Sequence, residues 1–215
     1  MLLINGLFVV TNLFPFQFTD SLTSDGYRFW RALKRDPSLT REFAISKLFY
    51  FGQSDVKPRN WDSDLLIDAN AIKDETSHFV YARWFRYLNL IDCGAIESAG
   101  MAIDEAIRLI EKVPETERPN LWLEHAYFLA LHRSQPEPAR RSFDEAAKYT
   151  VRPMLRLRAE AAIAFAERDC PRAVEKASAA LEDFKSWGEP VFAQDEAEEL
   201  RALMARAAAN GASAI

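Results

Sequence analysis

The chain predicts an all-α fold, and three observations carry that expectation. From about Thr76 onward, apolar residues recur at the i, i+3, i+4 spacing of a helix face. Short breaks at Pro and Gly interrupt the pattern and divide it into pairs of helices. Small residues then recur 34 residues apart along those pairs. With 215 residues, 49 % of them apolar, the chain can bury one core or a short array of helices. The expected order is a short hydrophobic N-terminal helix, an array of helical hairpins, and a C-terminal capping helix.

Residues 1–19, MLLINGLFVVTNLFPFQFT, carry no charge. They lack the basic start and small-residue cleavage site of a secretory signal. The helical part before Pro15 spans about 21 Å, short of the roughly 30 Å of a hydrocarbon layer. It reads as a buried helix, an interfacial anchor, or the end of a span that begins upstream. Arg28, Arg31, Lys34 and Arg35 follow. Beside a bilayer they would place the next segment on the cytoplasmic side. Otherwise they belong to an amphipathic helix from Asp25 to about Leu33, with its arginines in water.

A short helix follows in RDPSLTREFAISKLFYFG, capped by Ser38 or Thr40 and ending near Gly52. The next stretch reads as an irregular connection broken by Pro58. WDSDLL gives it one helical turn capped by Asp62 or Ser63, and Trp61 anchors it against a neighbour. The pairs begin with SHFVYARWFRYLNLIDCG and AIESAGMAIDEAIRLIEKVP, where Ala102, Ala106, Ile107, Ile110 and Val113 share a face. Four more helical stretches follow, up to Gly188. The last helix runs on Phe192, Glu196, Leu200, Leu203 and Ala207. The expected divisions are 1–36, an irregular linker at 37–75, the repeats at 76–209, and a fraying tail at 210–215.

The totals exclude some functions. A net charge of -5 gives no electrostatic reason to expect nucleic acid. Cys93 and Cys170 lie far apart and read as small packed residues in a reducing compartment. No H-E-x-x-H, Gly-rich phosphate loop or G-x-S-x-G elbow occurs. His125 and His132 stand two helical turns apart, about 10 Å, too far for one zinc ion. They read as surface or groove residues. The acidic residues of 182–199 read as solvated faces.

The 34-residue recurrence links Leu123, Tyr127 and Ala130 to Leu157, Ala161 and Ala164. It also links Ala139, Phe143 and Ala146 to Ala173, Ala177 and Ala180. Pro114 closes the earlier pair. These residues resemble the tetratricopeptide repeat over about residues 78–185. The resemblance implies stacked hairpins whose curved surface binds a protein or peptide.

A second resemblance lies at the start. Asn12 and Pro15 in NLFP, followed by Asp25, Gly26 and Tyr27, resemble a segment of the site-2-protease class of membrane zinc metallopeptidases. That resemblance implies a zinc-ligand role for Asp25 and a substrate-positioning role for Asn12. Pro15, Gly26 and Tyr27 support the motif. A zinc held by two histidines and a carboxylate keeps an open position for a reactive water. The histidine half is absent from this sequence, so zinc would require an upstream H-E-x-x-H region, and no catalytic residue is assigned. The resemblance implies a truncated relative or fragment, inactive alone, with membrane contact through residues 1–19 and cytoplasmic repeats. The alternative is a non-enzymatic repeat adaptor with an N-terminal hydrophobic anchor, or a cytoplasmic one.

Overall fold

The computed structural model describes residues 14, 16, 24–186 and 194–212. Most of the uncharged stretch 1–19, with Asn12 and Pro15, lies outside the described residues, as does Phe192. Among the described residues there are ten α-helices, two short 3₁₀ turns and no strand.

Helix α1 (Asp25–Leu33) begins at Ser24, whose hydroxyl oxygen accepts from the Tyr27 amide at 3.2 Å. The same hydroxyl donates to the Phe14 carbonyl at 2.5 Å and accepts from the Phe16 amide at 2.9 Å. Arg31 does not point into water. It is buried and pairs with Asp36 at 2.7 Å and Glu42 at 2.8 Å. The Ser38 hydroxyl and Arg31 together hold the Asp36 carboxyl down, to about 2.

Asp36 is also the cap of α2 (Pro37–Phe51), accepting from the Ser38 amide at 2.9 Å. The cap therefore lies earlier than Ser38 or Thr40. Pro37 explains the shift, since a proline at the first helical position forfeits only an amide that has no partner there. After a 3₁₀ turn at Pro58–Asn60, Asp62 caps α3 (Ser63–Asn70), a full eight-residue helix.

Residues 37–75 are packed. Ala44, Ile45, Leu48, Leu66 and Ala69 close with Trp61 onto Ala82 and Phe85 of α4 (Ser77–Asp92). Trp61 meets Phe85 edge-on, with ring centres 5.8 Å apart, and donates its indole N–H to the Val56 carbonyl at 3.1 Å.

Antiparallel helices then follow in pairs. Helix α4 packs on α5 (Ile96–Arg108), α6 (Arg118–Leu131) on α7 (Pro136–Ala146), and α8 (Pro153–Ala166) on α9 (Cys170–Ser186). A 3₁₀ turn at Ile110–Lys112 follows α5, and α10 (Gln194–Ala212) packs on α9. The architecture is repeat-like. Prolines in the first turn start α6, α7 and α8. The turns inside the three hairpins each contain a left-handed residue: Gly94 (φ 75°), Ser134 (φ 53°) and Arg168 (φ 66°). The last two are 34 residues apart, so the turn repeats along with the helix faces.

Two kinds of contact stack the hairpins. Aromatic rings separate α4 from α6, with Tyr87 and Phe128 edge to face at 5.8 Å. Small residues bring α6 and α8 together at Ala126 and Ala159. Further on the core is mostly alanine: Ala161, Ala164, Ala173, Ala177 and Ala180 are all almost fully buried. Leu200, Leu203 and Ala207 of α10 cover that face, as a capping helix must. Cys170 packs at the edge of this core, whereas Cys93 is exposed in the turn after α4.

Gly100 on α5 lets Phe128 approach closely. A methyl group there would stand 2.9 Å from the Phe128 ring, and that ring is fully buried. Gly100→Val is expected to lower stability by about 2–3 kcal/mol in urea denaturation, because overpacking outweighs the gain in helix propensity.

Candidate functional site

Three positions in corresponding places on α4, α6 and α8 hold Tyr87, Glu124 and Arg158. Glu124 and Arg158 are separated by the 34-residue period itself. The Tyr87 hydroxyl donates to Glu124 Oε1 at 2.8 Å, and Arg158 Nη1 donates to Glu124 Oε2 at 2.6 Å. Arg158 Nη2 continues the line to Glu199 of α10 at 3.0 Å, and the Tyr127 hydroxyl donates to the same oxygen at 3.1 Å. The guanidinium also lies over the Tyr127 ring, 3.7 Å from its centre. A polar ladder thus crosses four helices.

Its electrostatics follow from burial. Arg158 is only 6 % exposed. Burial opposes ionisation of Glu124, but Arg158 and the Tyr87 hydroxyl outweigh it and hold the carboxyl below its ordinary range. Burial, reinforced by Glu124, pushes the Tyr87 phenol well up. Glu196 is different. Burial pushes its carboxyl up, against the pull of Arg158 and with help from Glu124 and Glu199. No hydrogen bond or ion pair joins Glu196 to another described residue.

A cavity of about 290 Å³ opens beside the ladder. Its lining includes Val56 and Pro58 of the loop after α2, and Trp61. Leu88 and Ile91 at the end of α4 also line it. So do Glu124, Arg158 and the α10 carboxylates Glu196, Glu198 and Glu199. Glu196, Glu198 and Glu199 therefore line a groove, and only in part face the open solvent expected for them.

A second cluster looks catalytic in composition. His125 sets Nδ1 2.9 Å from Ser142 Oγ and Nε2 3.2 Å from Asp104 Oδ1. The ring sits the opposite way round from a Ser-His-Asp triad, in which the serine meets Nε2. Ser142 is also buried, at 4 % exposure, where no substrate carbonyl reaches it. The cluster joins α5, α6 and α7, and Arg133 completes it at 3.0 Å from Asp104.

The zinc expectation is corrected. Among the described residues no group of three or more His, Cys, Asp or Glu can hold a metal ion. Asp25 sits exposed in the first turn of α1. There the carboxylate faces the positive end of the helix dipole and water. Gly26 and Tyr27 simply continue that helix, and Asn12 and Pro15 lie outside the described residues. The metallopeptidase identity falls with the missing ligand set. Membrane association is corrected as well. Among the described residues no helix is long and apolar enough to cross a membrane. No family model, curated protein or solved structure matches the chain.

Two measurements check the site. Arg158→Met strands the Glu124 carboxylate, and denaturation should show a loss of about 3–5 kcal/mol. Adding Glu124→Gln should restore part of it. Burial also lowers the affinity of His125 for protons, although Asp104 raises it and Arg133 lowers it. The native ring therefore stays neutral while the unfolded chain takes up a proton below about pH 6.5. The stabilising contribution is full above that pH and is lost as pH falls. The thermal-stability advantage of wild type over His125→Gln should accordingly shrink between about pH 7.5 and 5.5.

Proposed function

We propose that this chain is a non-enzymatic, tetratricopeptide-like adaptor that binds a segment of a partner protein in the groove between α4, α6, α8 and α10. One observation carries the reading. Corresponding positions of successive hairpins converge on one groove, and a cavity remains there beside the ladder. The 34-residue offset of Glu124 and Arg158, and of Ser134 and Arg168, favours tetratricopeptide-like units over an irregular bundle. The volume also argues for a protein ligand. At about 290 Å³ it lies at the lower edge of the roughly 300–1,000 Å³ of small-molecule pockets. A side chain projecting from a bound segment fills it more naturally than a large cofactor does.

A displayed library of random heptapeptides, selected against the full chain, tests this. Selected peptides should cross-link to a photoreactive residue placed at Glu198, and not to one placed at the exposed Lys148 beyond α7. Recovery of no binding peptide, or equal cross-linking from both positions, would falsify the adaptor reading.

A further inference from the structure

We infer, on the footing that the groove binds a protein segment, that its cavity takes a lysine or arginine side chain of that segment, with Glu196 as the receiving carboxylate. The geometry around Glu196 carries this. On α10 the stripe facing α9 runs through Leu200, Leu203 and Ala207, which are buried. Glu196 occupies the next place on the same stripe, four residues before Leu200. Glu196 is half-buried there and lines the cavity, and a carboxylate so placed is costly without a counter-charge.

The nearby cation does not supply one. Arg158 already bonds Glu124 and Glu199 and lies over the Tyr127 ring. One guanidinium therefore faces three carboxylates, and the third makes no hydrogen bond or ion pair among the described residues, only a longer-range attraction to Arg158. Asp55 and Glu198 add negative charge at the rim, with Lys57 opposing them. An anionic ligand would meet repulsion on this wall. A metal ion is not the answer either, because these carboxylates do not form a metal-holding group.

The remaining walls suit the stem of a basic side chain. Leu88, Ile91 and Trp61 offer apolar surface in the same cavity as Glu196. Long basic side chains bury their methylenes against such surface while the charged head reaches a polar partner. The chemistry recognised is thus an alkyl chain ending in an ammonium or guanidinium. A charge-assisted hydrogen bond from that head to Glu196 would be stronger than a neutral one.

The test extends the heptapeptide selection. Peptides selected on wild type should share one Arg or Lys position. Changing that residue to Gln should weaken binding about tenfold or more in fluorescence anisotropy. The chain carrying Glu196→Gln should bind both peptides alike, with a thermal midpoint no lower than wild type. Glu198→Gln, at the exposed rim, should keep most of the preference. Selected peptides without a shared basic position, or a preference that survives Glu196→Gln, would overturn the inference and leave the adaptor reading standing. Failure to select any peptide would overturn both.

Discussion

The buried pairing of Glu124 with Arg158 holds the hairpin stack in register. Neither charge could be buried alone, because an unpaired ion in the interior is far costlier than an exposed one. Together they satisfy each other across α6 and α8, and Tyr87 and Glu199 extend the bond to α4 and α10. The alanine contacts around them are smooth, and one small side chain can replace another if a helix slides by a turn. The ion pair has one geometry. A slide would part Arg158 from both carboxylates at once and leave Arg158 and Glu124 stranded in a poorly hydrated place.

That constraint also explains why the groove stays open. The aromatic spacers Tyr87 and Phe128 hold α4 away from α6, whereas Ala126 and Ala159 let α8 come close. The stack is therefore wider at its first hairpin than at its last. The loop after α2 fills part of the wider end through Val56 and Trp61, and the tight end is closed by α10. The cavity is what these two closures leave between them. Its apolar side comes from α3-facing and α4 residues that complete the N-terminal core, and its acidic side comes from the capping helix. No single helix carries a recognisable binding motif.

Much of the fold was legible in the sequence because helix faces and the 34-residue recurrence are short-range patterns. Ala139, Ala146, Ala173, Ala177 and Ala180 are all buried where the period places them. The helix starts were less legible, as Asp36 and Pro37 show, because several residues near a helix start can act as caps. The charged core was the hardest part to see. Arg158 stands in RPMLRLRAEAA among residues typical of a solvated face, and only its offset from Glu124 hints at a partner. The pairing of His125 with Ser142, 17 residues away, has no periodic signature at all. Glu196 did leave a trace, as the one carboxylate on an otherwise apolar stripe.

Asp25 and Glu196 show why a carboxylate needs its surroundings before it can be read. Asp25 follows closely on an uncharged stretch and Glu196 shares a helix stripe with Leu200, Leu203 and Ala207, and both invite a functional reading. At Asp25 the helix start supplies partial positive charge and the solvent supplies water, so the charge is satisfied where it stands. Its local motif offers no second or third ligand to make a metal site. Glu196 also stands in the first turn of its helix, but it is half-buried on the cavity lining and the nearest cation is shared by two other carboxylates. The unmet demand for positive charge lies at Glu196, beside a cavity with apolar walls. The residue with the familiar motif is thus locally complete, and the one without a motif is the carboxylate that a ligand would complete.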